Sequence, residues 1–321
     1  MMKEKNNMSI LYVVLPCYNE EAVLPETTKR LTKKLTEMIN SGVCDEKSRI
    51  LYVDDGSKDK TWELIEKFHN ENHLVSGVKL AHNRGHQNAL LAGLMTAKEH
   101  CDCAASMDAD LQDDINVLDG FMEKFNEGCD VVYGVRSKRT TDTAFKRTTA
   151  QGYYKFMKKL GVDLVYNHAD CRLMSKRALN ALSDYREVNL FLRGIVPHIG
   201  FKSDIVYFER AERFAGESKY PLKKMLAFAF DGITSFSVKP LKLITSLGIF
   251  FTVLSGLGLV AELIVKLCGV AIASWLWAVS FVWLLGGIQL ICLGVAAQYI
   301  GKIYFEVKDR PRFLVEKFIN D

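Results

Sequence analysis

The chain has 321 residues, 42 Lys and Arg against 38 Asp and Glu for a formal charge of +4, 49% hydrophobic residues and a mean hydropathy of +0.02. So small a net charge gives no footprint for nucleic acid, and so high an apolar content excludes disorder. The averages conceal a division, because residues 243–300 carry only Glu262 and Lys266 while the other 263 residues carry 78 of the 80 charges, about 30% against a usual ~25%.

Residues 1–7 are polar, and the apolar run 10–15 is too short for the hydrophobic region of a cleavable signal, so the polar part is expected in the cytosol. The eight cysteines suit a compartment that keeps thiols reduced. Cys101 and Cys103 bracket one Asp without a second pair or a histidine at zinc-site spacing, which favours packing over metal binding. Short apolar runs at 10–15, 50–53, 77–80, 104–107 and 131–133 predict strands, and helical periodicity predicts helices over 21–39, 59–72, 86–99 and 114–126. That alternation predicts an α/β fold with a mostly parallel sheet wrapped by helices.

In such sheets ligands sit beyond the carboxyl ends of the strands, and the residues there are polar. The first strand runs into Pro16-Cys17-Tyr18-Asn19-Glu20-Glu21, the second into Asp54-Asp55-Gly56-Ser57, the fourth into Asp108-Ala109-Asp110-Leu111-Gln112-Asp113. Asp108 and Asp110 are two apart, so extended backbone projects them to one side, where they repel unless a cation lies between them. Mg²⁺ or Mn²⁺ held by one or two carboxylates recruits phosphate oxygens, which points to a nucleoside diphosphate. An Asp-rich turn with capping duties is the plainer alternative. Asp54 and Asp55 end another parallel strand at the same edge, where a carboxylate accepts hydrogen bonds from a base or ribose, with Ser57 or Asp59 left to cap the next helix. A dinucleotide oxidoreductase needs G-x-G-x-x-G after the first strand, and residues 16–21 contain no glycine. His82 and His86 lack a third ligand and are expected in surface or capping roles.

Farther along, Arg136, Lys138, Arg139, Lys146 and Arg147 precede Tyr153-Tyr154-Lys155-Phe156-Met157. Arginine grips phosphate through parallel hydrogen bonds, and the aromatics suit a membrane surface; a solvated basic face is the alternative. Residues 219–242 mix Lys219, Lys223, Lys224, Lys239 and Lys242 with Met225, Leu226, Phe228, Phe230, Ile233 and Phe236, predicting a helix lying in the interface. Residues 243–265 and 275–299 are each long enough to cross the hydrocarbon core and predict a helical hairpin. Lysines and arginines concentrate outside the hairpin, with Lys266 alone in its loop, so both termini are expected in the cytoplasm. The resulting division is 1–218, a juxtamembrane segment 219–242, two transmembrane helices within 243–300, and a cytoplasmic tail 301–321.

The motifs above, with Asn83-Arg84-Gly85, Tyr133-Gly134-Val135-Arg136, Asp170-Cys171-Arg172-Leu173-Met174, Phe191-Leu192-Arg193-Gly194, Gly216-Glu217-Ser218-Lys219-Tyr220 and Tyr299-Ile300-Gly301-Lys302-Ile303-Tyr304, resemble family 2 glycosyltransferases. Within that family the chain resembles polyprenyl-phosphate glycosyltransferases, the bactoprenol glucosyltransferase and dolichyl-phosphate mannose synthase group. The resemblance covers nearly the whole chain and implies a GT-A, Rossmann-like fold, a nucleotide-sugar donor and a polyprenyl phosphate acceptor, undecaprenyl phosphate being expected. It implies that Pro16, Tyr18 and Glu20 line the base pocket, that Asp54 and Asp55 contact the nucleoside, and that Asp108 and Asp110, with Gln112 as a further ligand, hold Mg²⁺ or Mn²⁺ on the diphosphate. Arg136 is the first candidate for the acceptor phosphate, with Arg139, Lys146 and Arg147 beside it. Asp170 stands where the family has Asp-Phe-Arg, Cys171 replacing the aromatic, and is carried over as an acceptor-site or base residue. A processive synthase is the alternative enzyme, but it usually carries Gln-x-x-Arg-Trp, and no Trp here follows an Arg. A non-enzymatic alternative is a membrane-anchored nucleotide-sugar sensor or a scaffold for a lipid-linked sugar flippase. Gly286, Gly287 and Gly294 suit close helix packing in a homo-oligomer, while the intact acidic motifs favour an enzyme.

Overall fold

The computed structural model describes residues 8–136, 168–187, 190–208 and 274–320. Of these, residues 274–310 belong to one compact unit and the remainder to another.

The larger unit begins with three strands and three helices in alternation: β1 (Leu11–Cys17), α1 (Leu24–Asn40), β2 (Arg49–Asp54), α2 (Thr61–Glu71), β3 (Val75–Leu80) and α3 (His86–Ala97). Then come β4 (Cys103–Ser106), α4 (Val117–Asn126), β5 (Val131–Arg136), β6 (His168–Ser175), α5 (Lys176–Ser183), α6 (Leu192–His198) and β7 (Ser203–Phe208). A final strand, β8 (Val315–Ile319), is drawn from the C-terminal segment. One eight-stranded sheet runs β7-β5-β6-β4-β1-β2-β3-β8. β1 pairs in parallel with β2 and β4, β2 with β3, and β5 with β7; β6 is antiparallel to β4 and β5, and β8 to β3. The expected mixed, mostly parallel α/β sheet is therefore present, and each predicted strand and helix of the first half has its counterpart.

Burial explains the pattern. β1 is buried along its full length and β2 from Ile50 onward, as continuous apolar runs covered on both faces must be. α1 turns Leu24, Leu31, Leu35 and Met38 inward at helical spacing. Each such side chain contributes about 1.5–3 kcal/mol when fully buried. α3 lies unusually close to the sheet: a Cβ on Gly93 would come within 2.4 Å of Val14 and 2.5 Å of Val53. Only glycine permits that approach, and it sets the start of α3 at the carboxyl edge of β1 and β2. Cys101 and Cys103 are buried free thiols, and burial pushes Cys101 up to about 12, as packing residues require.

The C-terminal segment, expected as a plain cytoplasmic tail, supplies β8. Gly77 pairs with Ile319 and Val78 with Phe318, while Asn320 Oδ1 accepts from Ser76 Oγ at 2.7 Å and Tyr12 Oη at 3.3 Å. Lys79 meets Glu316 at 3.0 Å and Lys317 meets Glu66 at 2.7 Å. Five residues following a long apolar stretch carry too weak a period-2 signal to be read as a strand on their own.

The smaller unit contains α7 (Ser274–Val307), a 34-residue helix. At 1.5 Å per residue it is about 50 Å long. It takes in the second predicted crossing; residues 219–242 and 243–265 lie outside the described residues. Among the described side chains no helix is long and apolar enough to cross a membrane, so the crossing segments rest on sequence.

Candidate active site

The parallel strands end on one edge, and the loops leaving them are stitched together there. Asn19, with a positive φ of 55°, receives a hydrogen bond on its side-chain oxygen from Lys58 N–H at 2.9 Å, and its own N–H donates to Ser57 Oγ at 3.0 Å. Asp59 Oδ1 accepts from Thr61 N–H at 3.0 Å at the start of α2, while its Oδ2 accepts from Glu21 N–H at 3.2 Å. Pro16 lies in β1 opposite Val53, and Tyr18 stands half exposed just beyond it, with Glu20 partly buried. Pro16, Tyr18 and Glu20 therefore lie beside the end of β2 and the loop that follows it.

Asp54 and Asp55 divide their work. Asp54 is fully buried; its Oδ1 accepts from Ser57 N–H at 3.3 Å, and its Oδ2 has no hydrogen-bond partner among the described residues. A buried carboxylate oxygen without a partner is costly, and burial pushes the Asp54 carboxyl above its ordinary range despite the Ser57 bonds. Asp55 accepts from Arg84 N–H at 2.7 Å and Gly85 N–H at 2.9 Å, so its carboxylate braces the loop entering α3. Gly85 makes that loop possible with φ 85° and ψ 155°, a conformation reserved for glycine. Burial raises the Asp55 carboxyl too, against the pull of these two bonds.

Beyond β4 the chain passes through Met107 and Asp108 into a turn at Ala109 and Asp110, with Leu111 at a positive φ of 58°, where the spacing suggests extended backbone, and burial alternates. Met107, Ala109 and Leu111 are buried, whereas Asp108, Asp110 and Gln112 remain partly accessible. Thr27 Oγ1 donates to the Ala109 carbonyl at 2.8 Å, and Gln112 N–H donates to Asp110 Oδ1 at 3.2 Å, fixing the row. Carboxylate and amide oxygens are the hard donors that Mg²⁺ or Mn²⁺ takes. Among the described residues no three His, Cys, Asp or Glu side chains gather on one metal position. Two carboxylates and an amide are donors that suit a hard divalent ion whose remaining ligands are phosphate oxygens and water.

Antiparallel β6 brings a further carboxylate to the same edge from its beginning. Asp170 Oδ1 and Oδ2 receive Arg193 Nε at 2.9 Å and Nη2 at 2.8 Å, and Arg172 Nη2 donates to Oδ1 at 3.2 Å. Burial alone would raise the Asp170 carboxyl, but Arg193, His86 and Arg172 together hold it well below the usual carboxylate range. His86 Nε2 lies 3.8 Å from Asp108 Oδ1 and 3.9 Å from Asp170 Oδ2. It is a site neighbour and not the surface or capping residue expected; its position after β3, at the ligand edge, was the available signal. Arg193 was visible only as part of a motif. Arg136 closes β5 opposite Phe208 on this edge, whereas Arg139, Lys146 and Arg147 lie outside the described residues.

A family model described as glycosyl transferase family 2 matches residues 12–183. The uncharacterized glycosyltransferase YkoT of Bacillus subtilis (strain 168) is 54% identical over 312 residues, covering 97% of this chain and 93% of that protein. YkcC of the same organism, also named an uncharacterized glycosyltransferase, is 39% identical over 307 residues, covering 95% and 93%. The bactoprenol glucosyl transferase of Shigella phage SfII is 36% identical over 309 residues, covering 95% and 97%.

Proposed function

The chain belongs to glycosyl transferase family 2, and from that premise we propose that it transfers a single sugar from a UDP-sugar to undecaprenyl phosphate at the cytoplasmic face of a membrane. The observation that carries the reading is the accessible Asp108, Asp110 and Gln112 at the same sheet edge as buried Asp54, whose Oδ2 has no hydrogen-bond partner among the described residues. Similarity along 95% of the chain to a bactoprenol glucosyl transferase supports the lipid acceptor. Glucose and N-acetylglucosamine are the leading sugars.

Asp54 accepts a hydrogen bond from the nucleoside, with Tyr18 and Pro16 against the base and Asp55 holding the Arg84–Gly85 turn in place. Asp108 and Asp110, assisted by Gln112, hold Mg²⁺ or Mn²⁺, which when bound supplies positive charge to the departing diphosphate. The acceptor phosphate is already an anion near pH 7, so attack on the anomeric carbon from the opposite face, with inversion, requires positioning more than a strong base. Arg136 lies at the end of β5, suitably placed in the topology to help hold that phosphate.

Two crossings, residues 243–265 and 275–299, bring the catalytic unit to the headgroups where the acceptor resides. Lysines and arginines outside the hairpin support cytoplasmic termini. The test is incubation of the purified full chain with undecaprenyl phosphate in detergent micelles and a panel of radiolabelled UDP-sugars. One donor should label the lipid once per acceptor; absence of label with every donor favours the scaffold reading, and growing saccharides favour a processive synthase.

A further inference from the structure

At the corner where β6, α3 and α6 meet, Asp170 is surrounded by cations and firmly anchored. Arg193 grips both its carboxylate oxygens, Arg172 adds a bond to Oδ1, and His86 faces Oδ2. Ser106, the last residue of β4 before the Asp108 row, donates its hydroxyl to the Asp170 carbonyl at 2.6 Å. The residue preceding Arg193 is held from two sides: Leu192 N–H donates to Gln87 Oε1 at 2.8 Å, and Arg172 Nη1 donates to the Leu192 carbonyl at 3.3 Å. The two arginines differ in access. Arg172 is buried, with 2% of its side chain exposed, while Arg193 exposes 31% at the same edge as Asp108.

This geometry is poor for proton abstraction. A general base needs a lone pair directed at the proton it takes, and both Asp170 oxygens already accept charge-assisted bonds from guanidinium groups. It is good for holding an arginine still. A guanidinium fork fixed against a carboxylate loses little side-chain freedom when it meets an anion, and its five N–H donors reach more than one acceptor. His86 links the corner to the Asp108 row, lying within 4 Å of Asp108 and Asp170 alike. A phosphate brought to that row therefore comes to the neighbourhood of Arg193.

We propose that Arg193 is a phosphate-binding residue of the transfer site and that Asp170 is the positioning residue that aims it, not a general base. The proposal rests on the glycosyl-transfer reading above. The phosphate belongs either to the donor's diphosphate or to the lipid acceptor, and kinetics separate the two.

The experiment measures KM for both substrates, kcat against pH, and binding of UDP with Mn²⁺, in the wild type and in R193K, R193Q, D170N and the D170N/R193Q pair. R193Q should raise one KM by about tenfold or more, as expected for a lost charge-assisted bond. If Arg193 meets the acceptor, KM for undecaprenyl phosphate rises and UDP binding is unchanged; if it meets the donor, KM for the UDP-sugar rises and UDP binding weakens with it. R193K should recover part of the loss because it keeps the charge without the fork. D170N should shift the same KM as R193Q while keeping the wild-type pH dependence of kcat, and the pair should be no worse than R193Q by more than about twofold. Circular dichroism of each variant verifies the fold, and R193K, which keeps the charge beside Asp170, serves where R193Q does not fold. Wild-type values of both KM in R193Q overturn the proposal. So does a D170N enzyme with unchanged KM whose kcat falls and loses its acidic limb, which would make Asp170 a base. No labelled lipid from the wild type with any donor overturns the transfer reading and this proposal together.

Discussion

The two halves of the sheet bring carboxylates to one edge by opposite routes. β1, β2 and β4 are parallel and end there, so Asp54 and Asp108 lie at or just beyond strand ends. β6 runs against β4 and begins there, so Asp170 arrives in its first residues. Their surroundings are also opposite. Asp54 is buried with one oxygen unmet, and burial raises its carboxyl; Asp170 has guanidinium groups on both oxygens, which hold its carboxyl down against burial. A carboxylate left wanting is prepared for a ligand, whereas one already satisfied is prepared to keep its neighbours in place.

Substitutions that leave shape nearly unchanged sharpen this contrast. The largest effect is expected from D110N, which removes a charge from the accessible row proposed to hold the metal. Transfer should fall about a thousandfold, the several kcal/mol attributed to charge stabilisation by a metal, with the thermal midpoint unchanged. A midpoint that drops with activity would instead make Asp110 a structural turn residue.

D170N should act on stability. Breaking a buried pair leaves Arg172 uncompensated and costs about 3 kcal/mol near neutral pH. The folded carboxyl titrates below its unfolded value of 3.8, so its contribution is complete above that value and is lost as pH falls through the folded one. The difference in urea unfolding between D170N and wild type should therefore shrink as pH falls below 3.8; a difference that stays constant as the pH is lowered would contradict the ion-pair account.

D54N should do the reverse. The folded Asp54 carboxyl titrates above its unfolded value, so the wild type loses stability as pH rises through the folded value. Asn removes that loss, and the variant should be as stable as wild type or up to about 1 kcal/mol more so near neutral pH. Calorimetry should nevertheless show UDP binding about tenfold weaker, the equivalent of one charge-assisted hydrogen bond. If D54N destabilises like D170N, the two carboxylates do not differ in the way described. The smallest effect is expected from N320A, which takes the acceptor from Tyr12 and Ser76 beneath β8. It should lower stability by about 1 kcal/mol without altering transfer.

The same division decides what could be read from the chain. In the parallel half β1, β2 and β4 are continuous apolar runs followed directly by the candidate site residues, so Asp54, Asp108, Asp110 and their common edge follow from local pattern. The turn at Ala109 and Asp110 was not legible, because a two-residue spacing of carboxylates suggests extended backbone while the positive φ of Leu111 leaves no mark in the sequence. In the other half the information is non-local. Nothing near Asp170 announces that β6 runs antiparallel, that Arg193 lies 23 positions away yet within hydrogen-bond reach, or that His86 lies between two carboxylates. β8 is hidden for the same reason, since its pairing with β3 spans more than 230 residues.

The central claim is that the Asp108–Asp110 row serves transfer of a sugar to a lipid phosphate with a divalent ion. Its most direct test is labelled-lipid formation from the best UDP-sugar by the purified full chain, before and after EDTA and after restoring Mn²⁺. The account predicts label that disappears with EDTA, returns with Mn²⁺ and does not return in D110N. Labelled lipid formed undiminished in EDTA would contradict it.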